Sequence, residues 1–142
     1  MKMKEKLLAE LLKQGLMPIQ EEFGIVFKYQ MVNYIFFEDD EDDDYLNICV
    51  PYILEVNEDN MPCVFAAVNH INKLLKVVKM VINDDHVWAC YEAKLPNDAP
   101  LEGVITFAVH SLFIAHQEFI EQYEQLSQSD ENDEVAQPTL CS

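Results

Sequence analysis

The carboxylates, thiols and imidazoles are the groups through which this chain could do chemistry. The densest set is Glu38 to Asp44, seven consecutive acids in "FFEDDEDDDYL". Such a run offers oxygen ligands to calcium, but an EF-hand loop requires Gly at its sixth position and Glu at its twelfth. A frame opened at Asp39 places Asp44 and Val50 there; one opened at Asp40 places Tyr45 and Pro51 there. Neither fits. Neighbouring carboxylates about 6 Å apart repel by roughly 0.7 kcal/mol in water and by many times that in a dry interior. The run therefore reads as a solvated turn, with weak cation binding as the alternative.

The imidazoles and thiols form no recognised catalytic pattern. His110 and His116 stand on different faces of one helix, so HExxH zinc geometry is absent. His116-Gln117-Glu118 has the H-x-E form of zinc deaminases, but Pro62-Cys63 is followed by Val64-Phe65 rather than completing P-C-x-x-C. Cys49, Cys63, Cys90 and Cys141 contain no CxxC pair. A zinc site built in space from Cys49, Cys63, Cys90 and His70 is weighed against lone cysteines acting as small core residues, and packing is the simpler reading. A nucleophilic thiolate at Cys63 or Cys90 needs a positive environment, and the chain is strongly negative. The only glycines are Gly15, Gly24 and Gly103, so no phosphate-cradling loop exists. The expectation is no enzyme, no cofactor and no metal.

The elements that would position these groups follow from periodicity. Leu7, Leu8, Leu11 and Leu12 mark a first helix, stopped by Gly15 and Pro18. "MPIQEE", "IVFKYQ", "YIFFE" and "YLNICV" are branched and aromatic runs with strand character, and Gly24 suits a tight hairpin. Turns are expected at Met31-Val32-Asn33 and at the acidic run, and Pro51 is expected to end the fourth strand. Asp59 or Asn60 can cap a second helix with Pro62 in its first turn and Val64, Phe65, Val68, Ile71 and Leu75 as its apolar stripe. "VVKMVIN", Asp84-Asp85 and "HVWACYEAKL" form a second hairpin. Leu101, Val104, Ile105, Ala108, Val109, Leu112, Phe113, His116, Ile120 and Tyr123 mark a last helix of about 25 residues, roughly 37 Å long. The order is helix, three or four strands, helix, two strands, long helix, which predicts an antiparallel α+β fold. Residues 1–126 make one domain, and 127–142 read as an acidic, disordered tail.

Charge narrows the partners. The 142-residue chain carries 26 acidic and 9 basic residues, a formal −17, which disfavours nucleic acid and anionic membrane surfaces. Glu5 and Glu10 interrupt the apolar run at the N-terminus, against a signal peptide, and no stretch is expected to reach membrane-spanning length. The expected compartment is the cytoplasm, with reduced cysteines.

Several strands carry apolar residues on both faces: Ile25, Phe27 and Tyr29 against Val26; Tyr34 and Phe36 against Ile35 and Phe37; Leu46, Ile48 and Val50 against Cys49. The first and last helices can cover one face. The second helix, another subunit or a ligand must cover the other.

"EEFGIVFKYQMVNYIFFEDDEDDDYLNICVPYI", "AAVNHINKLLKVVKMVINDDHVWACYEAKL" and the long last helix resemble the YbjN family, which shares its fold with the class I type III secretion chaperones. The residues that carry the resemblance are Gly24 before "IVFKY", Tyr34-Ile35-Phe36-Phe37 before the acidic turn, Asn69, and Asp84-Asp85-His86-Val87-Trp88-Ala89. It covers roughly residues 5–126. It implies a compact, often dimeric α+β domain with regulatory or client-holding roles and no catalytic residues. Together these readings lead to a non-enzymatic, homodimeric protein- or peptide-binding module, its partner-binding candidates being Val26, Ile35, Phe37, Cys49, Val64 and Trp88. The alternative is a small regulatory domain that senses a ligand or divalent cation.

Overall fold

The computed structural model describes residues 2–132. Helix α1 (Met3–Lys13) precedes four strands, β1 (Ile19–Glu21), β2 (Gly24–Tyr29), β3 (Val32–Phe37) and β4 (Tyr45–Glu55). Helix α2 (Met61–Leu74), strands β5 (Val78–Asn83) and β6 (His86–Lys94), and helix α3 (Leu101–Asn132) follow. The six strands form one antiparallel sheet in the order β1-β2-β3-β4-β6-β5. The α+β fold and its element order are those expected from the sequence.

Local chemistry sets the boundaries. Gly15, at φ +80°, closes α1: its N–H donates to the Leu12 carbonyl while the Leu16 N–H reaches back to Leu11 at 3.1 Å. Before α2, Asn57 and Asn60 each accept the other's backbone N–H, at 2.8 and 2.9 Å, and the Asn60 amide donates to the Glu55 carbonyl. Asn60 is the N-cap by position, and this paired clasp takes the place of a side-chain bond into the helix. The β2–β3 turn falls on Gln30-Met31, one step earlier than expected; both residues adopt positive φ. Asp84 and Asp85 do the same at the β5–β6 turn. This pair of positive angles is what two-residue hairpins need to match strand twist.

Pro51 does not end β4. The strand continues to Glu55 through a bulge: Val50 stands opposite Ala89 and Leu54 opposite Val87, so residues 51–53 face Trp88 alone. Inside a bulge the missing proline N–H is not called on for the ladder. Tyr52, at φ +51°, is thrown outward.

All three helices cover one side of the sheet. Leu7 and Leu11 of α1, Val64, Ala67 and Ile71 of α2, and Ile105, Ala108, Leu112, Ala115 and Phe119 of α3 pack with Ile25, Phe27, Tyr34, Phe36, Leu46 and Ile48 into the main core. On α2, Phe65 leaves the expected stripe and is about half exposed, Cys63 and Ala67 taking the inner positions. Helix α3 is longer than expected: its helical turns continue to Asn132, six residues past the expected domain end, and the rest of the expected tail (133–142) lies outside the described residues. Contrary to expectation, α3 is long and apolar enough to cross a membrane by length and composition. Its inner residues, Ile105 through Phe119, are instead committed to the core.

The sheet edges are guarded. β1 is only three residues long. At the other edge, the Asn72 side chain of α2 takes the Met80 N–H at 2.8 Å and donates to the Met80 carbonyl at 3.2 Å, occupying backbone groups of β5 that another chain could pair with. Asn72→Ala is expected to cost about 1–2 kcal/mol in urea unfolding and to promote aggregation. Unchanged stability would show that water replaces both bonds.

Candidate functional site

The register places a continuous row of residues across the uncovered side of the sheet. Ile19 pairs with Val26, Val26 with Ile35, Ile35 with Cys49, Cys49 with Cys90, and Cys90 with Lys79. Directly paired residues of an antiparallel ladder project to the same face, so this row runs from one edge strand to the other. Cys49, Trp88 and Cys90 form a second buried cluster, with Phe37 and Val81 packed against it, and none of its members comes from a helix.

Aromatic rings extend this surface. Phe23 lies 5.9 Å from Phe37, Phe37 stacks on Trp88 at 6.1 Å, and Tyr52 meets Trp88 at 5.2 Å and His86 at 5.2 Å. Phe23 and Tyr52, at the two ends, are 45% and 63% exposed. The bulge in β4 is what brings Tyr52 to this side. The Trp88 indole N–H is buried and finds no acceptor among the described residues.

Among the sequence-derived candidates, Val26, Ile35, Phe37, Cys49 and Trp88 share this face. Val64 does not: it is fully buried on the helix side, beneath α2, and cannot meet a partner. Sequence reasoning missed Ile19, Val81, Cys90 and Tyr52. The first three were visible as strand residues of the right parity. Tyr52 was hidden by the irregular stretch after Pro51.

The charges on this face differ from those of the whole chain. Register places Lys28, Lys79 and Lys94 there, with Glu21, Glu55 and Glu92. These cancel, whereas the chain as a whole carries −17. Lys79 pairs with Glu92 at 3.1 Å, and the Tyr45 hydroxyl donates to the same carboxylate at 2.6 Å. The Tyr45 bond, and then Lys79, hold the Glu92 carboxyl below its ordinary range against the opposing effect of burial. That same bond pushes the Tyr45 hydroxyl up to about 12.

The acidic run is the β3–β4 turn. The Glu41 N–H donates to Asp39, the Asp44 N–H to Asp42, and Lys94 binds the Asp42 carboxylate at 3.0 Å. The Lys94 bond holds the Asp42 carboxyl below the usual range. Asp39 and Asp42 are thus tied to backbone and lysine, and no group of three potential metal ligands converges among the described residues. On the helix side, grooves about Phe107 are lined by Pro100, Thr106 and His110 on one flank and by Leu74, Leu75 and Val78 on the other. His110 lies on the surface and His116, half-buried, has its imidazole pushed toward the neutral form by burial.

The excess negative charge must strain the folded state. Raising salt from about 0.01 M to about 0.15 M shortens the screening length from about 30 Å to about 8 Å, and the thermal midpoint is expected to rise by several degrees. A midpoint that fell with salt would mean that the paired charges outweigh the repulsion.

No family model matches the sequence, and no curated protein matches it. Solved structures do share the fold. A crystal structure of an uncharacterised protein from Methanothermobacter thermautotrophicus aligns with TM-score 0.64 at 13% identity, covering 87% of this chain and 97% of that one. The crystal structure of E. coli YbjN, described as a candidate transcription regulator, aligns with TM-score 0.60 at 15% identity, covering 85% of this chain and 91% of that one. The fold is YbjN-like, as the sequence resemblance implied.

Proposed function

We propose that this chain is a non-enzymatic, cytoplasmic protein-docking module whose uncovered sheet face receives an apolar protein surface, first that of a second copy of itself. One observation carries the reading: an apolar row crosses the sheet from β1 to β6 where no helix covers it, on a face whose lysines and glutamates balance. Elsewhere two copies of a −17 chain repel. This face is where they can approach without that cost, and Lys28, Glu21 and Glu55, which lie outside the ion pairs made by Lys79 and Lys94, can pair across a two-fold axis.

The dimensions suit it. Six strands about 4.8 Å apart make a surface about 24 Å wide, and strands rising about 3.3 Å per residue make it about 20–35 Å long. The resulting 500–800 Å², roughly, approaches the approximately 800 Å² per partner of a standard stable interface. An extended client segment, held as secretion chaperones hold theirs, would occupy the same row. A regulatory role, as described for YbjN, would then act through protein contacts, since the charge disfavours direct binding to DNA.

Light scattering across low to high micromolar concentration tests this. The mass is expected to rise from monomer to dimer, and at lower concentration when salt is added. Trp88, the chain's single tryptophan, lies on the face, so its emission should shift in step with the mass. A chain that stays monomeric throughout, or dimerises with no change at Trp88, would contradict the proposal.

A further inference from the structure

We propose that Cys49 and Cys90 are a reversible dithiol–disulfide site, oxidised by hydroperoxides, at the centre of the uncovered sheet face. The two residues stand directly opposite one another on β4 and β6, both are free thiols, and their sulfurs lie 3.2 Å apart. No helix packs over them on that side; their neighbours there are Trp88, Phe37 and Val81. They are nonetheless buried, which favours a small oxidant over a bulky protein disulfide.

The surroundings distinguish the two thiols. The Cys49 S–H faces both the Cys90 sulfur and the Asn47 side-chain oxygen, each at 3.2 Å. Donation from Cys49 holds the Cys90 thiol below its ordinary range, and the Lys79 ammonium acts in the same direction, against burial and Glu92. Cys49 is pushed up as the proton donor of the pair. Cys90 is therefore the attacking sulfur.

Its thiolate attacks one peroxide oxygen; the O–O bond breaks, and the departing oxygen leaves as water or alcohol after taking up the thiol proton. Cys90 is now a sulfenic acid. The Cys49 sulfur then attacks the Cys90 sulfur, the S–O bond breaks, and hydroxide leaves as water with the Cys49 proton. In sum the two thiols lose two electrons and two protons, and the peroxide gains them. An external dithiol returns both by exchange.

The bond would be labile. A disulfide needs sulfurs about 2.05 Å apart and Cβ atoms about 3.8 Å apart, whereas opposed Cβ atoms in an antiparallel pair sit about 4.5–5.5 Å apart. Closing the bridge pulls β4 and β6 together, and strained disulfides are the readily reduced, regulatory kind. A metal is the weaker candidate for this pair, since no third ligand joins the thiols among the described residues. The inference does not depend on the docking role, although a docked copy would shield the thiols.

The full chain, reduced and then freed of reductant, is treated with hydrogen peroxide under native conditions, alkylated, digested and mapped by mass spectrometry. A linked peptide pair joining Cys49 to Cys90, lighter by two hydrogens and restored by dithiothreitol, is expected. In Cys49→Ser the bridge is lost and dimedone traps sulfenic acid at Cys90; in Cys90→Ser, dimedone labelling of Cys49 falls at least tenfold below that. The proposal is overturned if both thiols stay fully alkylatable after peroxide, or if they bridge only in denaturant. Wild-type mapping decides this even where a serine variant folds poorly.

Discussion

Replacing Gly24 by alanine is expected to destabilise the fold by about 4 kcal/mol, at the upper end of single substitutions. Gly24 opens β2 at φ +155°, a backbone angle that side chains rarely tolerate, with Phe37 of β3 as its register partner. A Cβ there would lie 1.8 Å from the Phe36 carbonyl oxygen and 2.9 Å from its carbon. Those atoms are backbone in an inner strand whose Phe36 side chain is fully buried, so relief requires β2 and β3 to separate. Domains of this kind have about 5–15 kcal/mol in total, so the variant should unfold at much lower urea. Gly103 is the control. A Cβ at that position in α3 meets nothing within 4 Å, and Gly103→Ala should stabilise by about 1 kcal/mol through helix propensity. Equal effects of the two substitutions would show that the approach of Gly24 to Phe36 is not rigid.

The second large effect concerns association. Ile35→Asp is expected to weaken self-association at least a hundredfold, about 2.7 kcal/mol, while leaving the monomer folded. Ile35 is half-buried at the middle of the row, between Val26 and Cys49. In the monomer an aspartate there keeps contact with water. In a face-to-face dimer it would lose that water, and unpaired desolvation of a carboxylate costs several kcal/mol. The nearby cations are already engaged: Lys79 holds Glu92 and Lys94 holds Asp42. Circular dichroism and urea midpoints of the variant separate lost association from lost folding.

Much of this architecture was legible because local signals agreed. The acidic run read most simply as a solvated turn, Asp84-Asp85 marked a hairpin, and the three- and four-residue steps from Leu101 marked α3. The two-sided apolarity of β2, β3 and β4 correctly pointed to a sheet face with more oily surface than one helical layer covers. What depended on register was not legible. Whether Val64 faced the sheet or solvent depended on how α2 rolls against β5 and α3, and its roll buries Val64 and releases Phe65. The pairing of Cys49 with Cys90 requires β6 to insert beside β4, leaving β5 at the edge, which no local pattern specifies. Pro51 misled because a strand can pass a proline through a bulge, and that bulge delivers Tyr52 to Trp88. The charge balance of the face emerges only once six strands are aligned, since its lysines and glutamates are scattered from residue 21 to residue 94.

Sedimentation of Ile35→Asp beside Phe107→Asp asks where association occurs. Phe107 is half-exposed on α3, on the opposite side of the molecule, so its replacement removes a comparable apolar group from the helical grooves. The uncovered β-surface as the contact requires the first variant to sediment as a monomer and the second as a dimer like the parent chain. Dimers that survive the change at Ile35 and vanish with the change at Phe107 would move the interface to the helices and contradict the proposed role of the sheet.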